Sequence, residues 1–97
     1  MTNHLPDYET QLAQIRARID EVDAILAESL LHRLQLADEI GSLKARTRTL
    51  AMSETRQTEI IDRLATQFPE LHRAEINAVW QILFRLSITR QLRIIDK

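Results

Sequence analysis

The 97-residue sequence has no cysteine, one glycine (Gly41) and two prolines (Pro6 and Pro69). Without cysteine there is no disulfide, thiolate nucleophile or cysteine-ligated zinc centre, and a reducing compartment fits. A single glycine cannot furnish the positive φ angles of β-hairpins and glycine-rich phosphate loops, so P-loop and dinucleotide fingerprints are excluded, and most β architectures with them. No run approaches the roughly 20 apolar residues of a membrane span, and MTNHLPDYET has no charged segment followed by an apolar one. The expected setting is cytoplasmic, with no membrane partner. Charge of one sign is also lacking. Thirteen basic and fourteen acidic residues leave a net charge of -1, which offers nucleic acid no basic field. Any anion has to be caught by local groups.

What is present is helical periodicity. The expected architecture is all-α, with three helices in one domain spanning 1–97 and residues 1–8 forming a flexible N-terminal tail. The first helix should start between Tyr8 and Thr10 and run to about Arg46. Leu12, Ile15, Ile19, Val22, Leu26, Leu30, Ala37, Ile40 and Leu43 hold its apolar face, and Gly41 is its weak point. Such a rod is roughly 55 Å long, whereas a compact chain of this size has a radius of gyration near ~13 Å. The helix therefore needs to lie against something beyond its own chain. TRTLAM (47–52) breaks the period and reads as a loop. Ser53 is then placed to cap a second helix from Glu54 to about Gln67, with Glu54 favouring the dipole and Pro69 ending it. A third helix should cover Arg73 to Ile95, with Ile76, Val79, Trp80, Leu83, Phe84 and Ile94 on its apolar face.

Polar groups interrupt these stripes. In HRLQLADEIGSLK (32–44), Arg33 and Lys44 occupy the face that Ile15, Ile19, Val22, Leu26, Leu30, Ala37 and Ile40 define. On the third helix Ser87 and Gln91 do the same. A buried cation costs several kcal/mol unless it is paired or solvated. Snorkelling, or internal pairing with Asp38 or Glu39, is the plain explanation for one such cation. Four polar groups together point further. Arg33 and Lys44 are eleven residues apart, about three turns and ~16 Å on one face. Two long side chains at that spacing bracket a small anion, arginine suiting a carboxylate and lysine another electron-rich oxygen.

Other chemistries find little support. His4, His32 and His72 show no metal-ligand spacing, so no metal is expected. Ser29 and His32 are three apart but lack an oxyanion turn, and both are expected to face solvent. Trp80 and Phe84 read as core or dimer packing.

IRARIDEVDAILAESLLHRLQLADEIGSLK (15–44) resembles the first helix of the all-helical AroQ-class chorismate mutases in its early arginine, its ID-x-x-D step, its mid-helix arginine and its closing G-x-x-K. The resemblance continues through Arg56 in SETRQ to Ser87 and Gln91 in LSITRQ, covering nearly the whole chain. It implies an intertwined homodimer with two sites, each completed by an arginine from the partner, and no cofactor. Carried over, Arg16 is the partner's arginine, and Arg33 and Arg56 bind the carboxylates of a small dicarboxylate substrate with it. Lys44 and Gln91 lie at the substrate's ether oxygen, and Ser87 near the ring carboxylate. Helix geometry agrees on the partner. Arg16 is 17 residues before Arg33, about 26 Å along the axis and roughly 100° around it, so one small molecule touches both only if they come from different chains.

The implied reaction is the pericyclic rearrangement of chorismate to prephenate, which needs no nucleophile, metal or proton transfer. Two positions depart from the family pattern. Gln57 stands where an acid usually follows the loop arginine to meet the ring hydroxyl, and Ser53 where another acid sometimes lies. Isochorismate-pyruvate lyases share the fold and the arginine–lysine cradle while lacking that first acid, so elimination of pyruvate to give salicylate is an alternative. A 4-amino-4-deoxychorismate mutase is another, as is a catalytically silent helical dimer.

Overall fold

The computed structural model describes residues 7–47 and 53–96. It contains three helices, α1 (Tyr8–Thr47), α2 (Glu54–Gln67) and α3 (Arg73–Ile95), and no strand among the described residues. The element boundaries expected from periodicity hold to within a residue or two. Asp7, expected in the tail, caps α1 instead, its Oδ1 accepting from the Thr10 N–H at 2.7 Å. That bond stabilises the carboxylate and lowers the Asp7 pKa. Tyr8 is already helical, and residues 1–6 of the expected tail lie outside the described residues. Thr47, expected in the loop, closes α1, its hydroxyl donating to the Lys44 carbonyl at 3.1 Å. The rest of that loop, 48–52, also lies outside the described residues.

Ser53 caps α2 as expected, accepting from the Arg56 N–H at 3.0 Å. The chain leaves α2 through a turn in which the Leu71 N–H donates to the Phe68 carbonyl at 3.0 Å. Pro69 occupies the second position of that turn, where its fixed φ is favourable. Glu75 Oε1 then accepts from the His72 N–H at 2.8 Å at the start of α3.

The chain divides into two units, Met1–His32 and Arg33–Lys97. In the first, the apolar stripe of α1 is uncovered: Ile15, Ile19, Val22 and Leu26 are 50, 51, 54 and 60% exposed. The second unit holds the core, in which Ile60 and Ile61 of α2 pack with Ile76 and Phe84 of α3, flanked by Leu64, Ala65 and Trp80. Ile76 is enclosed to 1% exposure.

Within this second unit the expected face of α1 needs correction. Leu43 is exposed and Ile40 largely so, while Ala37 and Gly41 are buried. Gly41 is a point of close approach as well as a helix-weakening residue. A Cβ there would lie 3.0 Å from the Gln91 Cα and 3.2 Å from its carbonyl oxygen. The steps from Arg33 to Ala37, Gly41 and Lys44 are four, four and three residues, so the two cations share the helix face that packs closest.

Candidate active site

An open cavity of about 480 Å³ in the second unit is walled by all three helices. Seven of the eight residues singled out from sequence line it. The end of α1 contributes Arg33 and Lys44, the start of α2 contributes Arg56 and Gln57 with the capping Ser53, and α3 contributes Ser87 and Gln91. Ala37, Ile60, Trp80 and Phe84 give it an apolar floor. Arg16, the eighth, is exposed on the first unit and is not among the lining residues.

Arg33 is half-buried and held from two sides. Its Nη1 donates to Ser87 Oγ at 2.6 Å, and its guanidinium carbon lies 5.8 Å from the centre of the Phe84 ring, within cation–π range. Ser87 is buried as well. Burial, and then the positive charge of Arg56, lower the Arg33 pKa below the ordinary arginine value. Both effects act against a charge that arginine cannot shed near neutral pH. Among the described residues no carboxylate pairs with Arg33. The internal partner weighed for it, Asp38, instead accepts from Arg90 Nη1 at 3.0 Å. A partly buried cation with no counter-charge, beside a second cation, is an electrostatic arrangement that an incoming carboxylate relieves.

At the other end of the cavity Lys44 Nζ donates to Gln91 Oε1 at 3.0 Å. The resemblance placed these two on opposite sides of a substrate oxygen; the structure has them bonded to each other. With its carbonyl oxygen engaged by Lys44, Gln91 has its amide nitrogen left as a donor. Arg56 sits near the start of α2, where a weak exposed contact links it to Glu59 at 3.9 Å.

Two features escaped the sequence reading. Arg63 also lines the cavity. It lies seven residues after Arg56, two helical turns further on the same face, and that spacing was the available signal. The Arg90–Asp38 pair ties α1 to α3 directly beside Gln91; no spacing within one helix points to a link 52 residues apart. The solvent-facing positions expected for Ser29 and His32 hold. Phe84 is core, as expected, and Trp80 packs against that core while also facing the cavity.

Four cations, Arg33, Lys44, Arg56 and Arg63, stand among the described residues that line the cavity, and no Asp or Glu does. No group of three or more His, Asp or Glu side chains among the described residues is arranged to hold a metal. No helix among them is long and apolar enough to cross a membrane. The cavity is suited to binding and orienting an anion carrying more than one negative group, with hydrogen-bond donors at both ends. Compared with known proteins, residues 15–92 match the sequence model of the family described as chorismate mutase type II. No curated protein and no solved structure matches the chain.

Proposed function

Because the chain belongs to the chorismate mutase type II family, we propose that it rearranges chorismate to prephenate in the cavity between α1, α2 and α3. The observation that carries this reading is the pairing of Arg33, held by Ser87 and with no carboxylate partner among the described residues, with the Lys44–Gln91 donor pair at the far end of one pocket. In the rearrangement a C–O bond breaks as a C–C bond forms within one molecule, and no proton moves. The catalyst's tasks are to fold the enolpyruvyl side chain over the ring and to meet the charge that builds on the ether oxygen. Arg33 and Arg56 hold the two carboxylates, with Ser87 beside the ring carboxylate, which fixes the reactive conformer. Lys44 Nζ and the Gln91 amide then act as preorganised donors to the ether oxygen.

One chain leaves this arrangement incomplete. The uncovered stripe of Ile15, Ile19, Val22 and Leu26 carries Arg16 next to its first member. A second copy covering that stripe brings its own Arg16 to the substrate carboxylates. The functional unit is then a homodimer in which residues 1–97 form one chorismate-mutase-like domain.

A second reading is favoured by the absence of Asp and Glu among the described residues that line the cavity. Gln57 and Ser53 line it where relatives carry acids for the ring hydroxyl. Isochorismate-pyruvate lyases do without the first of those acids, so loss of pyruvate from isochorismate is the alternative. Gln57 still offers its carbonyl to a hydroxyl, which keeps chorismate first. The test follows chorismate consumption in the ultraviolet beside isochorismate with salicylate fluorescence. Chorismate turnover that drops at least ~10²-fold in Lys44→Ala supports the mutase. Salicylate without prephenate moves the assignment to the lyase, and turnover of neither substrate leaves a silent helical dimer.

A further inference from the structure

We infer that the Arg90–Asp38 ion pair is the positioning device of the donor end of this cavity: it fixes the rotation of α3 against α1 and so keeps Gln91 aimed at Lys44. Its effect on rate rests on the proposed rearrangement, while its geometry rests on the packing of α1 and α3 alone.

Three observations meet at this pair. The first is where it lies. Arg90 Nη1 donates to Asp38 Oδ2 at 3.0 Å, and Arg90 immediately precedes Gln91. On α1, Asp38, Gly41 and Lys44 follow one another at steps of three. Asp38 and Lys44 therefore lie about 9 Å apart along the axis, on either side of the point where a Cβ would meet the Gln91 backbone. Gly41 sets how near α3 comes, but a single close approach leaves that helix free to turn about its own axis. Arg90 and Gln91 project about 100° apart around α3, and each reaches back to α1, Arg90 to Asp38 and Gln91 to Lys44. Two bonds diverging from one step of α3 remove that rotation.

The second is that the pair stands clear of any ligand. Arg33–Ser87 and Lys44–Gln91 also join α1 to α3, but all four of those residues line the cavity, and a bound ring diacid draws their donors toward itself. Arg90 and Asp38 are not among the lining residues. Their bond persists while Lys44 and Gln91 part to take the ether oxygen between them. The third is solvent. The side chains of Arg90 and Asp38 are 35 and 33% exposed, against 58% for both members of the Arg73–Asp62 pair that joins α3 to α2. A pair shielded from water is screened less and holds its geometry more firmly than an exposed one. Arg90 touches no substrate; it acts through Gln91.

The test exploits charge. Asp38→Ala adds one positive charge near the donor end and Arg90→Ala removes one, so an effect of the field alone would move kcat in opposite directions, whereas loss of aim lowers it in both. Steady-state kinetics on chorismate with the full-length protein should show kcat about tenfold lower in each variant, with KM within about threefold of wild type because Arg33 and Arg56 are untouched. The double variant, which restores the wild-type net charge, should be no slower than either single one. Asp38→Glu and Arg90→Lys should regain most of the rate, and Arg73→Gln, which breaks the pair between α2 and α3, should leave kcat unchanged. Independently of turnover, the NMR signal of the Gln91 side-chain amide, assigned by its loss in Gln91→Leu, should shift in Asp38→Ala, a change on the opposite helix, and not in Arg73→Gln. Opposite changes of kcat in the two single variants, a wild-type rate in the double variant, an unmoved Gln91 amide, or an equal loss of rate in Arg73→Gln each overturns the inference. Should Arg90→Ala fail to fold, Asp38→Ala and its Gln91 signal still decide it. Absent chorismate turnover in wild type, with the Gln91 amide displaced in Asp38→Ala, defeats the mutase proposal alone; turnover in wild type, with rate and amide unaltered in Asp38→Ala, defeats this inference alone.

Discussion

At the level of single side chains, the two ends of the cavity differ in how their donors are prepared. Arg33 is fixed by Ser87 and Phe84 and carries a charge that burial disfavours. Its lowered pKa still leaves it ionised near neutral pH, so no pH dependence of activity is expected from it there. Lys44 is steadied by the neutral Gln91, and neither side of that bond requires acid. The rate on chorismate should accordingly be nearly flat from about pH 6 to pH 8. Gln91→Glu changes this. A glutamate donates to an ether oxygen only when protonated, and as a carboxylate it binds Lys44 more firmly. Its kcat/KM should fall about 10²- to 10³-fold at pH 7.5 and recover as pH drops toward 5, the magnitude being that of one lost oxyanion-type donor. A pH–rate profile of both proteins checks this. Arg33→Lys keeps the charge but loses the planar fork; it should raise KM at least about tenfold.

At the level of the helices, geometry at Gly41 fixes how near α3 approaches. Alanine is the better helix former by about 1 kcal/mol, yet its methyl would meet the backbone of Gln91 at 3.0–3.2 Å. Backbone in a packed helix yields little, and overpacking costs about 1–3 kcal/mol. Gly41→Ala should therefore lower the melting temperature despite its propensity, and should reduce kcat by moving Gln91 away from Lys44. Thermal unfolding and steady-state kinetics on the same preparation test both halves. This position also marks how far the sequence could be read. Element boundaries were legible because caps and breakers are local: Ser53 before α2 and Pro69 after it acted as their chemistry dictates. Seven of the cavity residues were legible as polar groups on apolar faces, or from their place in the family motifs. Relations between helices were not. Gly41 read only as a weak helix former because the atoms it makes room for belong to α3. Asp38 was weighed as an internal partner for a cation on this face, and tertiary packing gives it to Arg90. Arg63 drew no notice in the sequence, because only the packing of α2 against α1 and α3 makes its face a cavity wall.

At the level of the whole molecule, the distribution of apolar surface is uneven. Ile60, Ile61, Ile76 and Phe84 supply a buried core within 33–97, while Ile15, Ile19, Val22 and Leu26 stay half-exposed or more. A helical segment with no packed face is marginal in water. The proposed homodimer removes that liability, so Val22→Glu should cost both assembly and activity together. Sedimentation analysis should show a monomer for this variant and a dimer for wild type, with turnover falling in proportion; a fully active monomer would refute the shared site. Ile76→Ala, in contrast, should destabilise every state by about 2–5 kcal/mol, the usual cost of emptying a filled position.

The uncovered stripe also sets a tempo along α1. Its amides form one uninterrupted ladder from Tyr8 to Thr47, but the side chains guarding that ladder change character near Arg33. Deuterium uptake followed by mass spectrometry should split this single helix into a fast-labelling stretch before Arg33 and a slow one around Ala37 and Gly41 when the protein is dilute. Raising the protein concentration should slow the first stretch and leave the second almost unchanged.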